Sequence, residues 1–149
     1  MVHRLPSQEF KEIYSRVPRL CVEVMVKKDG GIVLSLRDLP SWKGQWHIPG
    51  GTVFYRETLP EAVKRVAQDE LGVKVEIEKF LGHNYFPSEE KERGYGWSIS
   101  AVFLTRYKSG SLRGSNQGKE VRTFQEFPEN LIKEQKEFLI AHSSEIFYK

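Results

Sequence analysis

The sequence predicts an α/β layered domain around a mixed sheet, and three observations carry that expectation. Runs rich in β-branched residues share the chain with a few strongly helical ones, without a strict strand–helix–strand alternation. The length of 149 residues suits one domain with a single substantial core. No repeat, linker or change of composition divides the chain, so residues 1–149 read as one domain.

The elements follow in order. Residues 7–16 read as a short amphipathic helix, with Ser7 as N-cap, Phe10, Ile13, Tyr14 and Val17 at helical spacing, and Pro18 as the stop. Residues 20–26 and 32–36 are β-rich runs joined through Asp29-Gly30, a strong hairpin signal. Residues 38–44 form a loop, 45–48 a short strand, and Pro49-Gly50-Gly51 a turn. The strongest helix spans 58–71: Thr58 caps it, Pro60 sits in its first turn, Glu61 follows the cap by three, and Gly72 closes it. Residues 73–81 alternate Val73, Val75 and Ile77 with charged residues, as in a half-buried strand. Segment 87–96 is charged and glycine-bearing and reads as a mobile loop. A long strand is expected over 97–107, a loop over 108–118, a short strand over 120–124 and a helix over 128–142.

Composition excludes several classes. A net charge of +3 with scattered basic residues gives no nucleic-acid footprint. The single cysteine, Cys21, rules out an internal disulfide framework, and its apolar surroundings suit packing better than nucleophilic chemistry. No apolar run approaches the ~18 residues of a membrane span. The N-terminus lacks a signal-peptide core, so a cytoplasmic location is expected.

The chemistry is concentrated between Gly50 and Val73. A glycine turn leads into a helix with acids at its C-terminal end, and helical spacing puts positions 66, 69 and 70 on one face. Asp69 and Glu70 can then present oxygens to one ion. Mg²⁺ prefers few protein oxygens, several waters and substrate phosphates. Two acids and a backbone carbonyl from the glycine turn suit it. Glu57 and Arg65, eight apart, are expected to pair and pin loop to helix.

This segment resembles the Nudix box, G-x5-E-x7-R-E-U-x-E-E-x-G-U with U apolar. Gly51, Glu57, Arg65, Glu70, Gly72 and Val73 match in register, Asp69 matches by charge, and Ala67 stands in for U. Val66 replaces the first glutamate of the family's metal cluster. Beyond the box, the chain looks like the GDP-mannose mannosyl hydrolase branch. The shared features are Gln8-Glu9-Phe10, Leu36-Arg37, Gly50-Gly51 followed by Glu57-Thr58-Leu59, Arg65, and Glu70-Leu71-Gly72. That branch also carries an apolar residue where Val66 stands.

The resemblance implies an α/β/α sandwich and a small-molecule, nucleotide-type substrate, with neither nucleic acid nor membrane as partner. It implies Mg²⁺, with Mn²⁺ as a substitute, held by the Gly50 carbonyl, Glu70 and Gln117. Glu23 and Arg37 occupy the positions of two residues that assist the reaction. The branch releases a sugar by inverting carbon–oxygen hydrolysis, and its N-terminal helix contributes to a homodimer. A nucleoside diphosphate is a good leaving group, so a cation near Glu70 and the Arg37 guanidinium can replace the usual general acid. The branch's general base, a histidine, is Gly118 here. Glu120 and Lys119 are the nearest titratable groups, and Glu120 is the candidate base. Among the histidines His83 lies near a strand end, His47 precedes Ile48, and His3 and His142 are near the termini. Phe54, Tyr55, Tyr85, Phe86 and Trp97 offer stacking faces. Two other readings stay open at this point: phosphoanhydride hydrolysis of a nucleotide, and a non-catalytic ligand-binding domain.

Overall fold

A computed structural model describes residues 4–147; His3 lies outside them. Helix α1 (Ser7–Tyr14) precedes the hairpin of β1 (Arg19–Lys28) and β2 (Gly31–Leu36). Asp29 and Gly30 turn that hairpin at φ 53° and 78°, the left-handed pair whose twist matches the flanking strands. Short strands β3 (Trp46–His47) and β4 (Gly50–Thr52) lead to helix α2 (Leu59–Val66). Then come β5 (Val73–Tyr85), the short helix α3 (Glu89–Arg93), β6 (Ser98–Gly110), β7 (Glu120–Phe124), α4 (Lys133–Ala141) and α5 (Ser143–Phe147).

The strands form a seven-stranded sheet with a main path β3-β2-β1-β6-β5; β4 pairs with β1, and β7 with β2. β1 and β6 run parallel and the other pairs antiparallel, so the sheet is mixed. Alternation along β1 sorts the two faces. Val22, Val24 and Val26 point to one side and pack with Ala62, Val63, Val66, Ala67 and Leu71 of α2 and the turn after it. Met25 lies in the other cluster, with Leu131 and with Phe138, Leu139 and Ile146 of α4 and α5. Helices therefore cover both faces, the expected α/β/α sandwich. Leu71 and Leu139 are fully buried, and cutting either to alanine should cost about 2–5 kcal/mol. Among the described residues no helix is long and apolar enough to cross a membrane.

Several boundaries differ from the sequence reading, each for a physical reason. The first helix ends at Tyr14 rather than 16 and is capped by Pro6 with no side-chain hydrogen bond, so Ser7 is not its cap. Gly50 and Gly51 form a strand with Thr52, not just a turn; a Cβ at Gly50 would stand 2.7 Å from the Val22 carbonyl oxygen. The best helix starts as expected, with Thr58 and Glu61 exchanging both capping-box bonds. It stops being α-helical at Val66 and finishes as a π turn over Ala67–Leu71, closed by Gly72 at φ 71°. β5 runs four residues beyond 81, carried through register shifts against β6. Segment 87–96, expected as a mobile loop, contains α3 and buries Glu89. Residues 128–132 are not helical: Leu131 bridges to Trp46, and α4 begins only at Lys133.

Candidate active site

The loop before α2 is fixed from the helix. Arg65 donates to Glu57 at 2.7 and 3.0 Å and to the Thr52 carbonyl at 2.8 Å, and its guanidinium lies 3.8 Å from the Phe54 ring centroid. Glu57 also accepts the Phe54 N–H at 3.0 Å. Burial would raise the Glu57 pKa, but the Arg65 bonds and the Phe54 N–H outweigh it and hold the carboxylate below its ordinary range. The expected ion pair is present, and it sets the path of residues 52–57.

The two acids, in the π turn, point to different partners. Glu70 faces the late loop: Ser115 Oγ donates to one carboxylate oxygen at 2.5 Å and Gln117 Nε2 to the other at 3.0 Å. Arg113 ties the same loop to the helix end through the carbonyls of Gln68 and Asp69, at 2.9 and 3.1 Å. Asp69 points elsewhere, pairing with Arg4 at 3.3 Å and Arg65 at 3.7 Å. Glu70 and Gln117 are thus brought together while Asp69 is engaged by two arginines. Val66 is buried with the α2 core, and a Cβ on Gly51 would meet its Cγ2 at 3.3 Å. Among the described residues no group of three or more His, Cys, Asp or Glu side chains gathers as a metal cage. The donor chemistry at Glu70, one carboxylate beside the neutral Gln117 amide, fits a Mg²⁺ ion that takes most of its ligands from water and phosphate.

A cleft of about 260 Å³ opens on the α4 side of β1, and Gln117 and Gly50 both line it. Arg4, Arg19, Arg37 and Arg93 line it against two acids, Glu23 and Glu89. Glu23 is buried because position 23 faces α4; Gln135 donates to it at 2.8 Å and in turn accepts the Ile48 N–H at 2.8 Å. Burial, only partly offset by the Gln135 bond, pushes the Glu23 pKa up to about 8. Glu23 Oε1 has no hydrogen-bond partner among the described residues. Arg37 is held by the Ser41 carbonyl and hydroxyl at 3.1 and 2.7 Å; burial and then the neighbouring Arg93 and Arg19 lower its pKa to about 10. Burial, then Arg37, lowers the His47 pKa to about 3, so the ring is neutral. Its Nδ1 lies 2.8 Å from the Ser35 carbonyl, which can only accept, so Nδ1 carries the proton and Nε2 is left as an acceptor.

Not every predicted group reaches this cleft. Glu120 starts β7 opposite Leu36, forms an ion pair with Arg122, and is not among the lining residues. At Gly118 a Cβ would stand 2.2 Å from Ser35 Oγ and 2.5 Å from the Leu36 carbonyl oxygen, so this backbone leaves no room for a histidine there. Lys119 and His83 are exposed, and His142 pairs with Glu145 on the surface at 2.7 Å. Of the proposed stacking aromatics only Phe86 lines the cleft, whereas Tyr55, Tyr85 and Trp97 are exposed. Cys21 is buried, as expected, and burial raises its thiol pKa.

Sequence reasoning missed Arg19, Glu89, Arg93, Trp42 and Gln135, all of which line the cleft. Arg19 was legible in principle, since it shares the face of Cys21 and Glu23 by simple alternation along β1. Glu89 carried no signal that separates it from Glu90 or Glu92.

Comparison with known proteins agrees with this architecture. The NUDIX domain model matches residues 16–146, and the chain belongs to the Nudix family. It is 34% identical over 125 residues to the low-salt glycan biosynthesis protein Agl8 of Haloferax volcanii, covering 82% of this chain and 80% of that protein. It is 32% identical over 107 residues to an ADP-ribose pyrophosphatase of Methanocaldococcus jannaschii, covering 72% and 62%. A MutT NUDIX hydrolase from Burkholderia pseudomallei superposes with a TM-score of 0.74 over 84% of this chain and 98% of that one; at 24% identity it speaks for the fold.

Proposed function

We propose that this chain is a divalent-metal-dependent hydrolase of a nucleoside diphosphate linked to a second group, with a nucleotide sugar of the GDP-sugar kind as the preferred substrate. The observation that carries the reading is the joining of Glu70 to Gln117, which also lines an arginine-rich cleft. Glu70, Gln117 and the Gly50 carbonyl would hold Mg²⁺, or Mn²⁺ in its place. Bound there, the ion would neutralise charge on the departing diphosphate. Arg37 is positioned by Ser41 and would face the same charge. One carboxylate among neutral donors favours a reaction that leans lightly on metal, as carbon–oxygen cleavage with a diphosphate leaving group does.

With no room for a histidine at 118 and Glu120 engaged by Arg122, we assign water activation to the cleft itself. Glu23 has its proton affinity near neutrality, where an acid–base group works best. As a carboxylate it would accept the proton of the attacking water, so activity should rise with pH through about 8. The likeness to an ADP-ribose pyrophosphatase favours a second reading, phosphoanhydride cleavage. Product analysis on GDP-mannose with Mg²⁺ separates them. Free mannose and GDP support the first, mannose phosphate and GMP the second, and no turnover of any nucleotide in a panel removes both.

A further inference from the structure

Glu89 opens the charged run 89–93, yet the residue is 1% exposed. Its Oε2 faces Arg19 Nη2 at 3.3 Å and Arg93 Nη1 at 3.5 Å. Oε1 is buried and has no hydrogen-bond partner among the described residues. A buried carboxylate oxygen without a donor is costly, and native folds keep few of them without a reason. The backbone also makes room for the other oxygen: Gly96 adopts φ 109°, and a Cβ there would stand 3.0 Å from Glu89 Oε2.

Holding the arginines does not explain the second oxygen. Arg19 already donates to Ser98 Oγ at 3.1 Å and Thr52 Oγ1 at 2.8 Å, leaving one guanidinium nitrogen for Glu89 Oε2. Phe10 supports both guanidiniums, at 5.4 Å from Arg19 and 5.9 Å from Arg93. Each contact to the pair is made through Oε2, and Glu89 lines the same cleft as Gln117 and Arg37. The cleft wall therefore holds an unpaired, buried acceptor just behind an excess of guanidinium. A diphosphate supplies what the arginines need, but it has no donor for Oε1. That donor must come from another part of the ligand.

We propose that Glu89 is a specificity-determining residue whose Oε1 accepts a hydrogen bond from a hydroxyl or N–H on the part of the substrate beyond its diphosphate. The inference rests on the nucleoside-diphosphate reading above and narrows it. A ligand that is phosphate alone leaves Oε1 unpaired; one that carries hydroxyls satisfies it.

The test uses calorimetric titration of the whole chain with GDP-mannose, GDP and inorganic pyrophosphate in Mg²⁺, with chromatography of the calorimeter contents to read turnover. Glu89→Gln should loosen GDP-mannose by roughly 10–100-fold and pyrophosphate by less than about threefold. GDP locates the donor: spared, it places the donor on the sugar; loosened alike, it places it on the nucleoside, and both outcomes support the inference. Glu89→Asp keeps the charge between the arginines and withdraws the oxygen by one methylene. It should give the same ranking, and it decides the matter if the glutamine variant does not fold. Equal loosening of all three probes would mean that Glu89 only holds the arginines, and would overturn the proposal, as would no change in any. Wild-type protein that binds GDP-mannose but hydrolyses nothing sinks the proposed function and leaves this role of Glu89 standing. Wild-type protein that binds none of the three removes both.

Discussion

Residues 51–73 and residues 87–96 both contribute to the functional end of the molecule, and they are built in opposite ways. The first segment is assembled from contacts within itself: the Thr58–Glu61 capping box, the Glu57–Arg65 bonds and the Gly72 cap. The second has less of its own, an i,i+4 Glu89–Arg93 pair and the Gly94 cap. Ser88 makes no cap for α3, and the helix is five residues long. It is held by Glu92 accepting the Trp42 N–H at 2.6 Å, by Ser88 Oγ accepting from Trp42 Nε1 at 3.1 Å, and by Glu134 accepting the Ser88 N–H at 2.9 Å. A segment ordered by distant partners has no local signature, which is why it reads as a loop in the sequence.

The largest expected effect tests the self-contained segment at its chemical end. Glu70→Gln preserves volume but removes the charge opposite Ser115 and Gln117. It should cut Mg²⁺-dependent turnover more deeply than the ~10–100-fold typical of losing a residue that only orients a metal ligand. Gln117→Ala, which removes a neutral ligand and leaves the Glu70 charge in place, should cost less than Glu70→Gln. Wild-type turnover of the Glu70 variant at limiting Mg²⁺ would remove the metal assignment.

Next is the pair that shapes the loop. Glu57 is 3% exposed and Arg65 19% as side chains, so Glu57→Gln should cost about 2 kcal/mol, the scale of hydrogen bonds to a charged group. Denaturant unfolding measures it. A loss in activity without any loss in stability would mean that the pair acts on chemistry rather than on the loop's path.

The pH dependence compares two buried groups that line the cleft. Glu23 binds its proton more tightly when folded, with its pKa raised from 4.5 to about 8. Its contribution to stability is therefore full below pH 4.5 and is lost as pH rises to about 8. His47 has the reverse sign: lowered from 6.5 to about 3, it contributes above pH 6.5 and loses that contribution as pH falls toward 3. Relative to Glu23→Gln, the wild type should weaken steadily across pH 4.5–8 and then level off. A constant difference across that window would show that Glu23 is not a buried neutral acid.

How much was legible follows the same division. Most of the sheet strands, the α2 start, the Gly72 stop and the Glu57–Arg65 pair follow from local rules of alternation, capping and charge. The π turn does not, because the sequence 67–71 is ordinary helix former. Nor do the separate partners of the two acids: consecutive helix positions lie about 100° apart, and Glu70 bonds to Gln117 while Asp69 pairs with Arg4. The lack of room at Gly118 is likewise a property of Ser35 and Leu36, far away in the chain. Glu89 is the extreme case, one of three glutamates between 89 and 92, selected only by where the fold buries it.

The smallest effect sharpens the contrast most directly, through two double-mutant cycles on unfolding free energy. Thr58 and Ser88 occupy the same formal position, the residue before a helix, but their partners differ. Thr58 bonds to Glu61 three residues on, in both directions at 3.2 and 2.9 Å. Thr58→Ala should cost about 1 kcal/mol, and its loss should be non-additive with Glu61→Ala. Ser88 bonds to Trp42, 46 residues away in the chain. Ser88→Ala should be additive with Glu90→Ala, a change close by in sequence, and non-additive with Trp42→Phe, which deletes the indole N–H. Coupling in the Thr58–Glu61 and Ser88–Trp42 cycles should be about 0.5–1 kcal/mol, the low end for residues in direct contact. If Ser88 instead couples to Glu90 and not to Trp42, α3 is a locally stabilised helix, and the contrast between the two segments fails.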